Sequence, residues 1–396
     1  MRARDCPAGV FLALSEAEPI GRPLAVKDLF DTAGLVTTYG SPLFGDHVPA
    51  ETAPAVLALE AAGWGVVGKT NLHEFAFGTT SENPHFGVVP NPVAPGRVAG
   101  GSSGGNAAAL VLGAADLALG TDSGGSIRIP AACCGIVGFK PTYDAVPRDG
   151  VVPLAWSLDH IGPLTRSVED AAVAFEVMAG LQSHSMLPRT QAMPPRIMKP
   201  RKFFYETLDD EVRTAVEGAL SAFRKAGAPV GEVDVPGIEL APGIQLITIN
   251  SEASQANGHL LEKSGDKLGD DVRVRLEIGQ FYLAVDYVKA QQLRAQVRQS
   301  MIASFGDADV MIIPAMPVLP PKSDTATISV GGKNMHLAPM LTRFTSPINF
   351  CGFPALSMPC GQSKSGLPVN IQIVGRPGAD ASVLSTARWC ERVLSQ

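Results

Sequence analysis

Short, mainly apolar stretches recur along this chain, at 23–27, 65–68, 117–120, 310–313, 355–358 and 369–374. A strand with one wet face alternates polar and apolar residues, whereas one apolar along its length belongs to a sheet covered on both sides. Helical periodicity fills the intervals, predicting helices over 52–62, 105–113, 168–179, 208–226, 286–304 and 380–394. The helix at 208–226 opens on Asp209, Asp210 and Glu211 and closes on Arg224 and Lys225, as its dipole favours. A further short strand is expected close to the N-terminus, within 8–14. The fold class is therefore α/β: a central mixed β-sheet covered by helices on both faces. Because apolar strands return near the C-terminus, the end of the chain should fold back into the first sheet. We expect one domain over 1–396, with the proline-rich passage 187–200 as a surface crossover or boundary.

Composition narrows the function. The 396 residues are 45% hydrophobic and 18% charged, a globular mix. A net charge of −6 without like-charge blocks argues against nucleic acid as a partner. The longest apolar run, 107–119, is interrupted by Asp116 and is too short to cross a bilayer. At the N-terminus, Asp5 spoils the basic region of a signal peptide, so we expect a cytoplasmic protein with no membrane partner. The six cysteines (6, 133, 134, 351, 360 and 390) fit no zinc spacing, and buried thiols in a reducing compartment are the simpler reading.

Several motifs mislead. The string GWGVVGKT, 63–70, fits both a dinucleotide fingerprint and a phosphate loop. Either site needs a strand before its glycines and a helix after them, and here that order is reversed. GSSGG, 101–105, fits the G-x-S-x-G elbow around Ser103, yet proline-rich loop sequence precedes it where the elbow requires a strand. His160, His184, His259 and His336 follow it, none in a distinctive setting. His73, Glu74 and His85 lack the spacing of a metal site, so no metal and no cofactor is expected.

What remains is GGSSGGNAAALVLGAADLALGTDSGGSIRIPAACCG, 100–135, two serine clusters bedded in glycine with no histidine among them. A serine hydroxyl needs a neighbour to take its proton, and a lysine serves if burial keeps it neutral. Lys27 ends an apolar strand and is well placed for that, with Lys69 and Lys140 as rivals. The serine-rich segment 123–126 offers consecutive backbone N–H groups, and Pro130 suits the first turn of a short helix beyond it. Arg128, two residues past Ser126, reads as a loop-holding residue rather than a substrate anchor.

Taken together, GRPLAVKDLFDTAGLVTTYGS, VVGKTNLHEFAFG, NPVAPGRVAGGSSGGNAAALVLG, LALGTDSGGSIRIPAACCGIVGFKPT and SLDHIGPLTRSVEDAA resemble the amidase signature family. TSPINFCGFPALSMPCG and GLPVNIQIVG extend the resemblance to 375, leaving 180–340 loosest. It implies a relay of Lys27, Ser102 after a cis peptide, and Ser126 as nucleophile. Backbone N–H groups of Ser123, Gly124, Gly125 and Ser126 would form the oxyanion hole. Ser103 would support the loops, and Thr79, Thr80 and Ser81 would line the pocket. Asn106 and Ser123 depart from the residues usual at their positions, and the segment before Lys27 is shorter than the usual helical one. The implied activity is cofactor-free hydrolysis of a small carboxamide, carbamate or urea-type bond, with amide and water as partners and homo-oligomerisation open. The alternatives are a glutaminase-type subunit of a tRNA amidotransferase and a catalytically silent binding protein. The core should lie in 1–180 and 340–396, and specificity in 180–340 and around 77–86.

Overall fold

The computed structural model describes residues 1–16, 18–181 and 193–396. His184 and the start of the proline-rich passage lie outside them. The N-terminal part builds β1 (Phe11–Leu14), β2 (Arg22–Lys27) and β3 (Trp64–Thr70), with α1 (Pro54–Ala61) crossing between the last two. A small hairpin follows, β4 (Glu82–Asn83) and β5 (Gly87–Val88). Then come α2 (Gly104–Val111), β6 (Leu117–Asp122), α3 (Arg128–Cys134), β7 (Val137–Lys140), β8 (His160–Thr165) and α4 (Val168–Met178).

The middle of the chain supplies β9 (Ile197–Pro200), α5 (Asp210–Lys225) and β10 (Val230–Val233). A helical stretch continues through α6 (Ala241–Asn257), α7 (His259–Ser264), α8 (Asp270–Gly279) and α9 (Ala284–Ser304). After β11 (Val310–Pro314), the strands β12 (Thr327–Val330) and β13 (Lys333–His336) pair with each other. The chain ends with α10 (Leu337–Thr342), α11 (Ser346–Cys351), β14 (Ala355–Gln362), β15 (Pro368–Val374) and α12 (Asp380–Leu394).

Among the described residues, eleven strands form one sheet in the order β1-β3-β2-β6-β8-β7-β14-β15-β11-β9-β10. It is mixed: β2 runs parallel to β3 and β6, whereas β14 runs antiparallel to β7 and β15. The C-terminal strands thus sit mid-sheet, between β7 and β11, and the molecule is a single α/β domain. Both faces are covered. Leu24 and Val26 of β2, with Leu117 and Leu119 of β6, pack into one core with α1, α4, α5 and α12. Ala25 and Ala118, between them in sequence, point into the other core, against α2 and α3.

The predicted helices form within a few residues of their expected bounds, and the helix expected over 380–394 is α12. Periodicity gave no notice of α6: Gln245, Thr248, Asn250 and Glu252 are all buried on it, so it has no clean apolar stripe. Among the described residues, no helix is long and apolar enough to cross a membrane.

Candidate active site

Lys27 is the last residue of β2, and the two-residue period of a strand turns it to the face of Ala25, where α2 packs. The loop entering α2 carries Ser102, which follows a cis peptide bond from Gly101. Lys27 Nζ donates to Ser102 Oγ and to Thr121 Oγ1, each at 2.7 Å. Its side chain is wholly buried, and that burial brings the amine down to about 7, against a smaller upward pull from Asp122 and Asp159. Near neutral pH it is therefore divided between ammonium and free amine.

The glycines of the Ser102 loop exist for close approach. A Cβ on Gly101 would stand 2.8 Å from the backbone of Thr79, Thr80 and Ser81. Ser81, fully buried, donates through Oγ to the Ser102 carbonyl at 3.2 Å and accepts from Gly104 N at 3.0 Å. Asn106, the departure noted above, is buried on α2, accepts from Thr70 Oγ1 and donates to the Leu119 carbonyl at 2.8 Å. It thereby ties the helix to two strands.

Ser126 lies in the turn between β6 and α3. It is 7% exposed, its hydroxyl has no hydrogen-bond partner among the described residues, and it faces a cavity of about 270 Å³. Its carbonyl accepts from Ser103 N at 3.3 Å, which seats the two serine loops against each other. Gly125 has φ +134°, and a Cβ there would meet Thr345 Oγ1 at 2.3 Å, so only glycine fits. The Gly125 N–H donates to Asp122 Oδ1 at 2.8 Å, leaving the N–H groups of Ser123, Gly124 and Ser126 as unpartnered donors in this turn. Of the four donors expected there, the Gly125 N–H is thus already engaged.

Asp122 organises the turn. Its carboxylate accepts from Arg128 through both oxygens (2.8 and 3.0 Å), from Gly125 N and Ile127 N, and from Asn349 of α11. Burial alone would raise its pKa, but the Arg128 charge and hydrogen bonds, with Lys140 and Asn349, overcome that and hold the carboxyl well below its usual range. Arg128 also donates to the Thr345 carbonyl at 3.1 Å, which ties this turn to the segment before α11. Ser103 is buried too: its Oγ donates to the Thr121 carbonyl at 3.4 Å, away from the cavity.

Sequence reasoning missed Asp159 and, while placing specificity in 180–340 and around 77–86, named none of the helical residues of the cavity wall. Asp159, in the turn before β8, accepts from Ser123 Oγ and from the N–H groups of Leu154 and Ala155. Burial drives it up to about 6 despite those donors. Its position in SLDHIGP carried no signal, because a lone aspartate in a turn reads as solvated. The cavity wall runs over Phe77, Gly78 and Thr79, Gln245 and Ile249 of α6, Arg275 and Ile278 of α8, and Pro339, Thr342 and Arg343. Of the three expected lining residues only Thr79 is in that wall. Thr80 and Ser81 do not line it, and Ser81 is spent bracing the Ser102 loop.

A larger hollow of about 500 Å³ opens beside Thr121, Asp159 and Trp156. Ser126 does not line it, so the smaller cavity is the one that meets the candidate nucleophile. The rival lysines are engaged elsewhere. Lys69 is buried against Asp28 at 3.1 Å and donates to the Phe30 carbonyl and Thr37 Oγ1, and Lys140 donates to the Pro141 and Phe353 carbonyls. Within the string GWGVVGKT, everything after Gly63 is β3 itself. His73 bonds Asp271 at 2.8 Å, and His85 pairs with Glu74 at 3.1 Å. No group of three or more potential metal ligands occurs among the described residues.

A family model described as Amidase matches residues 17–384. This chain belongs to the amidase family. It is 38% identical to a subunit of the glutamyl-tRNA(Gln) amidotransferase of Halobacterium salinarum, over 94% of this chain and 95% of that one. Its structure superposes on a crystal structure of an amidase with TM-score 0.88, at 36% identity over 94% of this chain and 84% of the other. The same amidotransferase subunit from Thermotoga maritima superposes with TM-score 0.81 at 32% identity, covering 97% and 87%. As a member of the amidase family, the chain is an enzyme that hydrolyses C–N bonds other than peptide bonds.

Proposed function

We propose that this amidase cleaves a primary carboxamide through an acyl-enzyme on Ser126, with Ser102 and Lys27 as its proton relay. What carries the reading is the buried Lys27–Ser102 contact, together with a Ser126 hydroxyl that faces the cavity without a partner among the described residues. In the neutral amine one lone pair remains, so the Ser102 contact can reverse, with Ser102 donating to Lys27 Nζ. Ser126 Oγ attacks the carbonyl carbon while its proton passes to Ser102 and the Ser102 proton to Lys27. The oxyanion receives N–H donors from Ser123, Gly124 and Ser126, each worth about 3 kcal/mol in a preorganised site. The relay returns a proton to the departing nitrogen, ammonia leaves, and water repeats the sequence on the acyl-serine.

The relatives favour the role of a glutaminase-type subunit within a tRNA amidotransferase. A free-standing amidase of small amides is the second reading, favoured by the apolar part of the wall (Phe77, Leu246, Ile249 and Ile278). Ammonia release from glutamine, set beside a panel of small amides, carbamates and ureas, separates the two. Pull-down of the tagged chain adds a second readout. Turnover of glutamine with a stable partner supports the amidotransferase reading, and turnover of apolar amides by the isolated chain supports the other. No release from any of them, with no labelling of Ser126 by a fluorophosphonate, would overturn both.

A further inference from the structure

The cavity wall holds two guanidinium groups in different electrostatic situations. Arg275 is committed: it donates to Asp271 Oδ2 at 2.9 Å and to the Phe77 carbonyl, and its charge is met by that carboxylate. Arg343 is not. It lines the same cavity, lies over the Phe203 ring at 4.1 Å, and its side chain forms no hydrogen bond or ion pair with any described residue. Its Nε is buried without an acceptor. Among the acidic groups of the described residues only Glu206 acts on it electrostatically, and that side chain accepts from Phe203 N at 3.2 Å. A half-buried guanidinium held over a ring, with its donors unspent, is preorganised for a planar anion. It also sits close to the reacting centre. Two residues on, Thr345 donates to the Gly124 carbonyl at 2.5 Å, so the segment bearing Arg343 is fastened to the oxyanion turn.

We propose that Arg343 is a specificity-determining anchor that grips a carboxylate on the acyl portion of the substrate, so that the amides this site prefers are short amido acids. This rests on the amide-hydrolase reading of the same site. The anchor acts on binding and placement and takes no part in proton transfer.

The test compares succinamate with its uncharged methyl ester, both followed by ammonia release. Wild-type enzyme should favour the anion by about tenfold or more in kcat/KM, mainly through KM, with the preference falling as salt rises. Arg343→Met should cut that ratio by about tenfold or more, and Arg343→Lys should restore part of it, since a point charge replaces a fork. Circular dichroism and the rate of fluorophosphonate labelling at Ser126 check folding. Should the Met variant not fold, inhibition of the wild type decides: glutarate should compete with a neutral amide at least tenfold better than glutaramide. An unchanged ratio in a folded Arg343→Met enzyme, no charge preference in the wild type, or loss of the preference on Arg275→Met alone would overturn the anchor. Those outcomes leave the hydrolase reading standing. Failure to cleave any amide, with Ser126 unlabelled, removes that reading instead.

Discussion

Lys27 shows what one residue costs and returns. Moving its pKa from 10.5 to about 7 amounts to roughly 5 kcal/mol against the charged form. The unfolded chain holds the proton more tightly between pH 7 and 10.5, so the folded enzyme loses stability as pH falls through that window. Lys27→Met is therefore expected to abolish turnover while raising Tm at pH 7, with the Tm gain fading towards pH 10.5. Calorimetry across that range, beside an ammonia assay, checks both halves. If free amine is the working form, kcat/KM of the wild type should rise through about pH 7. Lys27→Arg, charged at every working pH, should be folded and nearly inactive. Near-normal turnover by that variant would remove the relay.

Asp159, at about 6, is a second candidate for the same acid limb. Asp159→Asn separates them: it weakens the hold on Ser123 and should lower kcat by about ten- to a hundredfold, yet leave the limb near pH 7 in place. Disappearance of the limb in that variant would assign it to Asp159.

Among the elements, the turn from β6 to α3 is determined by contacts made at long range. Gly125 sits against Thr345 and Ile129, so Gly125→Ala imposes both an unfavourable φ and a collision. We expect it to cost several kcal/mol or distort the donor turn, read as a drop in Tm together with loss of fluorophosphonate labelling. A glycine-rich string announces that some backbone must come close. Which side chain it meets, here one more than two hundred residues away, is absent from the local sequence. The same holds for Thr80 and Ser81, whose residue types suit a pocket wall, whereas packing against the Ser102 loop turns Ser81 inward.

Across the molecule, the placement of β14 and β15 in mid-sheet makes the C-terminus part of the first core. Val383, Leu384, Ala387, Trp389 and Cys390 of α12 are buried against it, and Asp380 accepts from Thr142 N at 2.8 Å and from Thr142 Oγ1. At about 1.5–3 kcal/mol per buried apolar side chain, α12 contributes on the order of the stability of an entire domain. Deletion of 380–396 should give a chain that does not fold, and the intact enzyme should melt in one transition. Two resolved calorimetric transitions would divide the molecule where we propose a single cooperative unit.

Local sequence was enough for the α/β class, the covered sheet and six of the helices, which follow from periodicity. It also offered a lysine ending an apolar strand and serines bedded in glycine, but the choice of Lys27, Ser102 and Ser126 as a relay is what the resemblance to the amidase signature family implies. It took the folded arrangement to settle that Lys27 rather than Lys69 or Lys140 meets Ser102, that Asp159 braces Ser123, and that Arg343 is left unpaired in the cavity wall. Burial and pairing of charge are properties of neighbours brought together from distant parts of the chain, and no window of sequence contains them.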